Sequence, residues 1–386
     1  MRRLALLLVP LLALSACEWA WTSYGPEGST QEFPILEKKG AVSPVPPTPL
    51  RLKVMTWNVK YGAGRIDFWF DLWGDRVEMS MDEVDFNMNR IYDLINEVQP
   101  DILVTNEIEI NSKRSAYYDM VKGVLDHTDL RWAAYVPLWQ NRYVASEGVG
   151  RVDCGNAIFS RYPIVKNERI AQVDRTDQSV IVATFYWHRA IGHAVVQAGS
   201  QFLDVYAVHT EAYDMDRTNA KQQKQILELA RAANRPFLLA GDFNALPPGS
   251  VKVSKFNDEA PESVGTDYEQ PPYNPEDLQP FYDEFNEAIP LSRYGTTEED
   301  QSHWYSHSVI GPDTVGANSE PGHWTRRLDY LFVRKADRWL DADVLQTKGR
   351  GTGTGTTVTA SGQGLAGDPL YLSDHCPVAG IWEVTP

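Results

Sequence analysis

Several short stretches of this chain end an apolar run on a side chain that can hold a cation, move a proton or grip an oxyanion. The densest is Leu238-Leu239-Ala240-Gly241-Asp242-Phe243-Asn244-Ala245-Leu246-Pro247. An apolar run of this length, bounded by Gly and Pro, reads as a buried strand. Side chains alternate along a strand, so Asp242 and Asn244 project the same way at its carboxyl end. A carboxylate beside an amide suits a divalent cation or a phosphate-bound water. The same pair also suits an Asx-type turn that closes the strand. The remaining strand ends decide between these readings: they carry Asn58, Glu107, His209, Asp329 and the pair Asp374-His375. Buried polar groups are costly unless they are satisfied, so a fold that collects this many at its strand ends is using them.

The elements that must position these groups are legible from periodicity. Arg51 to Val59 alternates into Trp57-Asn58, and Asp101 to Glu107 is a second strand with an acid at its end. Between them, Asp82 to Val98 places Ile91, Leu94, Ile95 and Val98 on one helical face. Tyr117 to Leu125 reads as a short helix, while Gly155 to Ser160, Ser179 to Trp187 and Phe202 to His209 read as strands. Arg217 to Ala233 is a helix leading into the Asp242 strand. After it, residues 255–325 form a long acidic, Pro-rich passage, and Arg326 to Val333 resumes the strand pattern. The Gly/Thr run 349–364 lacks the Gly-Lys-Ser/Thr ending of a P-loop and reads as a loop before the strand from Ser373. His303, His307 and His323 read as surface or loop residues.

Composition bounds the partners. The 386 residues carry a formal charge of −16 and are 43% hydrophobic, enough for a sizeable core. The acidic excess argues against a general polyanion binder, which would need Lys and Arg on phosphates. The basic start Met1-Arg2-Arg3, the apolar Leu4 to Leu14 and the sequence Leu14-Ser15-Ala16-Cys17 resemble a bacterial lipoprotein signal. That resemblance implies cleavage after residue 16, lipid on Cys17 and residence in the cell envelope, with Glu18 fitting the outer membrane. Residues 17–50, rich in Pro, read as an extended tether to a domain spanning 51–386. Insertions fall near 60–82, 255–325 and 346–372. The first holds Phe68, Trp69, Phe70 and Trp73, an aromatic group suited to local packing, a cleft wall or lipid contact. Cys154 and Cys376 are either buried thiols or a disulfide.

The motifs Thr56-Trp57-Asn58-Val59, Asn106-Glu107, Gly155-Asn156-Ala157-Ile158-Phe159-Ser160, Gly241-Asp242-Phe243-Asn244, Leu328-Asp329-Tyr330 and Ser373-Asp374-His375-Cys376-Pro377-Val378 resemble those of the endonuclease/exonuclease/phosphatase superfamily, in order over residues 56–378. The resemblance implies an α+β fold, a four-layered αββα sandwich of two packed sheets flanked by helices. It also implies hydrolysis of phosphoesters with Mg2+, or Mn2+ in its place. Glu107, with Asn58, would hold the metal, and Asp374 would serve a second metal position. His375 would act as general base or orient the attacking water, with Asp329 fixing its tautomer. Asp242 would position or deprotonate the water, Asn244 and Asn156 would contact phosphate, and His209 would stand near the leaving group or the phosphate. Asn106 departs from the Gln of many relatives, at a position that supports the site from behind. A lipid anchor and aromatic content favour lipid head groups or small phosphodiesters over nucleic acid. A surface nuclease and a non-catalytic envelope-binding lipoprotein are the alternatives, and no protein partner is implied.

Overall fold

The computed structural model describes residues 24–68, 74–144, 150–256, 265, 269–315, 320–346 and 367–385. The signal segment 1–16, Cys17, Trp69 to Trp73 and the Gly/Thr run lie outside these residues. Among those described, no helix is long and apolar enough to cross a membrane.

The first part of the chain gives strands β1 (Thr30–Glu32), β2 (Ile35–Glu37), β3 (Arg51–Asn58), β4 (Ile102–Glu109), β5 (Trp132–Val144), β6 (Gly150–Ser160) and β7 (Ile164–Ala171). The second part gives β8 (Ala190–Ala198), β9 (Gln201–His209), β10 (Phe237–Asp242), β11 (Phe285–Glu287), β12 (Asp329–Arg334), β13 (Arg338–Val344) and β14 (Val378–Glu383). They form two seven-stranded sheets, ordered β1-β7-β8-β9-β10-β12-β11 and β13-β14-β3-β4-β6-β5-β2. Only two pairs are parallel among the described strands, β3 with β4 and β9 with β10. One lies at the middle of each sheet, so two pairs of strand carboxyl ends meet at one rim.

The layers follow from the period of two. Val205 and Ala207 of β9, Leu238 and Ala240 of β10, and Leu331 and Val333 of β12 pack in one core cluster with Val54 and Val104 of the other sheet. Their neighbours Tyr206, Val208, Leu239, Tyr330 and Phe332 face outward and pack with Phe237 and Phe243 under the second helical layer. Helix α1 (Met81–Val98) covers the β3/β4 sheet with Val84, Met88, Ile91, Leu94, Ile95 and Val98, all buried. It starts on a capping box in which Ser80 and Glu83 satisfy each other's backbone N–H. Helix α2 (Met120–His127) lies beside it, the Tyr92 and His127 rings stacked at 4.9 Å. On the other sheet, α4 (Thr218–Ala232) brings Ile226, Leu227 and Ala230 to the outer cluster. This is the expected four-layered α+β sandwich.

Some expectations change. Ser179 to Trp187 is not a strand: Val180–Phe185 forms a short helix, α3, whose first turn is capped by the Ser179 hydroxyl accepting from the Val182 N–H. None of its residues is buried, so the β-branched run has no sheet to join. Within the stretch read as a tether, β1 pairs with β7 and β2 with β5, so residues 30–37 extend both sheets. The acidic passage 255–325 holds β11 and short helices, among them Gln279–Glu284, Leu291–Tyr294 and Glu298–Ser302. Cys154 and Cys376 are both buried free thiols, not a disulfide. Phe68 is buried with its ring 5.4 Å from Tyr61, edge to face.

Candidate active site

Register places the strand-end groups in rows. Asp242 pairs with His209 on one side and with Asp329 on the other, while Asn58 pairs with Asn106 across β3 and β4. Glu107 would continue β4 with its side chain fixed by the pleat, but the β4–β6 register shifts between Thr105 and Ile108. Glu107 there adopts φ +56°, in the left-handed region. Bulges of this kind re-aim a side chain, and the strain is retained where surrounding contacts over-determine it. Two residues on, Glu109 anchors the bulged strand, its carboxylate accepting from Arg114 Nε at 2.7 Å and Ser115 Oγ at 2.6 Å.

The Asp242 corner is built equally tightly. Gly241 has φ +140°, and a Cβ there would lie 2.0 Å from the Val208 carbonyl oxygen, so only glycine permits the close approach of β10 to β9. Asn244 (φ +42°) donates its N–H to Asp242 Oδ1 at 2.8 Å. The turn and the site are therefore one structure. Asn244 Nδ2 donates to the Thr210 carbonyl at 3.0 Å, leaving its second amide N–H.

Around this corner the predicted residues converge. His375 Nδ1 meets Asp329 Oδ2 at 2.8 Å, and its Nε2 lies 3.5 Å from Asp242 Oδ2. His209 Nε2 lies 3.7 Å from the same Asp242 oxygen and 3.8 Å from Glu107 Oε1. Asn58 Nδ2 donates to Glu107 Oε1 at 3.1 Å and to Asp242 Oδ2 at 3.3 Å, while its amide oxygen accepts from the Lys60 N–H. What Asn58 contributes here is the placement of both acids. Asp374 is 3.7 Å from the buried Lys60 ammonium. Asn156 is fully buried, its oxygen accepting from Asn106 Nδ2 at 2.8 Å and its own Nδ2 without a partner. Such a donor calls for an acceptor, and a phosphoryl oxygen supplies one.

Electrostatics follow from burial and neighbours. Burial lowers His375, but Asp329 and Asp242 outweigh it and carry the imidazole up to about 10. Burial raises Asp242 to about 7 against the pull of His375. His209 is driven well below its ordinary value by burial, then by Arg189 and His375, and stands neutral. Glu107 is raised by burial and then by the nearby Asp374 charge. Asp374 is lowered: burial opposes ionisation, but Lys60 and His375 prevail.

Two donor sets could take a metal. Oxygen and nitrogen atoms of Asp242, Asp329 and His375 lie within 4.8 Å of one another. Of these, His375 Nδ1 and Asp329 Oδ2 already satisfy each other, and Asp329 Oδ2 also accepts from Ser306 Oγ at 2.6 Å. Glu107 with Asp374 fits a hard cation better, because two half-buried, mutually repelling carboxylates are relieved by one.

Three contributors escaped the sequence reading. His307 is not a surface residue: its ring packs on His375 with centroids 4.6 Å apart, and burial, then His375 and Arg326, hold it neutral. Isolated bridges to Arg326 and His375 put it there, a long-range pairing with no local signature. Trp187 meets the His209 ring at 5.6 Å and Trp139 at 5.4 Å, forming an aromatic wall. Lys60 is the third, identified only by its ion pair.

The model of the Endonuclease/Exonuclease/phosphatase family matches residues 55–375. Among solved structures, the chain is similar to the endonuclease/exonuclease/phosphatase from Beutenbergia cavernae DSM 12333, at 17% identity over 86% of this chain and 72% of that one, with a TM-score of 0.50. It is also similar to the endonuclease/exonuclease/phosphatase from Bacteroides vulgatus, at 11% identity over 87% and 99%, TM-score 0.49. The human Nocturnin catalytic domain with bound sulfate anion gives 16% over 91% and 97%, TM-score 0.47. At these identities the likeness concerns the fold. No curated protein sequence matches the chain. Superfamily members are hydrolases acting on phosphoesters and are generally divalent-metal dependent. With its motifs in order and its fold and strand-end cluster in place, this chain belongs to the Endonuclease/Exonuclease/phosphatase family.

Proposed function

We propose that the chain is a divalent-metal-dependent phosphodiesterase acting on lipid head-group or small phosphodiesters, held at the cell envelope by lipid on Cys17. The observation that carries the catalytic part is the convergence of His375 and His209 within 3.7 Å of the Asp242 carboxylate, beside the unpartnered Asn156 Nδ2. Glu107 and Asp374 would hold Mg2+, which when bound polarises the phosphoryl oxygen and offsets charge on the leaving oxygen. The chain's own residues do the rest. Asp242 orients the attacking water and takes its proton, since its Oδ2 faces both histidines. Asp329 accepts the His375 Nδ1–H and, with Asp242, keeps the imidazole protonated, so that Nε2 also presents an N–H toward the Asp242 side, where water and phosphate meet. Asn156 Nδ2 and the second Asn244 N–H bind the non-reacting phosphoryl oxygens. Neutral His209, backed by Trp187, has a ring nitrogen available beside the leaving group.

Two features support a small or amphiphilic substrate. The chain carries a charge of −16, unfavourable for tracking a duplex. Half-buried Trp187, packed on Trp139 beside His209, offers an aromatic surface to a head group or ring. Sphingomyelin, bis-p-nitrophenyl phosphate and plasmid DNA should be offered with Mg2+, each with and without chelator. Chelator-sensitive release from the first two supports the reading. Plasmid nicking without lipid turnover moves the substrate to DNA, and no turnover of any of the three removes the enzyme reading.

A further inference from the structure

Beside Trp187 lies a cavity of about 410 Å3, bordered by the segment Tyr24 to Glu27 and lined by Arg169 of β7, Thr184 of α3 and the following His188 and Arg189. Its polar lining is unusual. Arg169 is 1% exposed, stacked 3.9 Å from the Tyr24 ring centre, with Nε donating to the Pro137 carbonyl and Nη2 to the His188 carbonyl. Its Nη1 is buried with no hydrogen-bond partner. Arg189 is 5% exposed, and both its Nε and Nη1 are buried without one. The Glu211 carboxylate balances charge there, its Oε2 lying 3.5 Å from Arg189 Nε and its Oε1 accepting from the Tyr186 hydroxyl at 2.7 Å. The other acids at the cavity are also engaged: Glu27 accepts from Gln225 Nε2 at 2.6 Å, and Asp174 meets His188 Nδ1 at 2.9 Å.

Guanidinium N–H groups left unmet inside a protein are costly, and arginine's fork matches the oxygens of a tetrahedral anion. We propose that this cavity is an accessory oxyanion site that binds a phosphate group between Arg169 Nη1 and Arg189 Nη1. The site is distinct from the catalytic cluster but one aromatic layer away. Arg189 stands 4.7 Å over the Trp187 ring, and Trp187 meets His209. The phosphate has two sources of equal chemistry, a free anion or the head group of an anionic lipid. The second gains from Val180 and Ile181, 84% and 77% exposed on the same short helix as Thr184.

The test reads binding, not turnover, so its failure leaves the phosphodiesterase reading untouched. The side-chain Nε–Hε resonance of Arg189 in the full chain is titrated with inorganic phosphate by NMR. A saturable shift is expected, lost in Arg169→Met and weakened at least about tenfold in Thr184→Glu, which adds a like charge at the cavity without touching either arginine's backbone contacts. A resonance that does not move, or that moves equally in Thr184→Glu, overturns the proposal. Co-sedimentation with phosphatidylcholine vesicles, with and without phosphatidic acid, separates the sources. Binding that needs phosphatidic acid and is lost in Ile181→Ser identifies a lipid head group. No vesicle binding alongside an intact NMR shift identifies the free anion.

Discussion

Asn106 gives the sharpest test of how the site is held. Its Nδ2 donates to Asn156 Oδ1 and to the Val208 carbonyl, both at 2.8 Å, and its oxygen accepts from the Asp242 N–H at 3.1 Å. One fully buried side chain thus ties β4 to β6, and ties their sheet to β9 and β10 of the other. In Asn106→Ala these three partners lose their contact inside the core. An unmet buried group costs roughly 1–3 kcal/mol, and losses sharing one side chain add incompletely, so about 3–5 kcal/mol is expected. Asn106→Asp separates polarity from size. It keeps an acceptor for the Asp242 N–H but turns an oxygen toward two other oxygens, so at neutral pH it should be less stable than the alanine variant despite its near-identical shape. Denaturant unfolding followed by Trp fluorescence measures both. Because Asp242 and Asn156 would shift together, activity on bis-p-nitrophenyl phosphate should fall about a hundredfold in folded Asn106→Ala. An alanine variant within about 0.5 kcal/mol of the parent, or an aspartate variant more stable than it, refutes the reasoning.

Three further outcomes are expected. Gly241→Ala places its Cβ 2.0 Å from a backbone oxygen at φ +140°, and should lower stability by about 3 kcal/mol or more; an unchanged Tm contradicts the close approach of β9 and β10. Glu83 is held down at about 2 by Arg76 and by the Ser80 N–H of the capping box. A depressed carboxyl contributes stability that is present above its ordinary value near 4.5 and lost as pH falls through about 2. The destabilisation of Glu83→Gln, under about 1 kcal/mol because the pair is exposed, should therefore shrink over that window; a pH-independent difference is inconsistent with this. Glu107→Gln should bind Mn2+ more weakly than the parent, as followed by electron paramagnetic resonance of the free ion. Equal binding would move the metal away from Glu107.

What the sequence made legible is what short-range pattern controls. Asp242 and Asn244 were visible because an apolar run, a glycine and a proline frame them, and the structure puts their turn and their chemistry in one set of bonds. Period-two alternation gave β9 and β10, and a 3.6-residue stripe gave α1. What failed depends on partners distant in sequence. Val180 to Phe185 has strand-like residues, but no edge is available to it, and a Ser179 cap turns it into a helix. Residues 30–37 look like linker until β5 and β7 supply edges to pair with. His307 reads as a loop histidine because only its bridges to Arg326 and His375 carry it into the site. The aim of Glu107 depends on a bulge that no residue type announces.

Metal-dependent hydrolysis of phosphoesters is the activity proposed for the strand-end cluster. It is tested most directly by turnover of bis-p-nitrophenyl phosphate with Mg2+, comparing the parent with Asp242→Asn and His375→Ala, each shown to be folded. Chelator-sensitive turnover is expected in the parent, with a loss of at least about a hundredfold in both variants. Equal turnover in all three, or a parent rate indifferent to chelator, would contradict it.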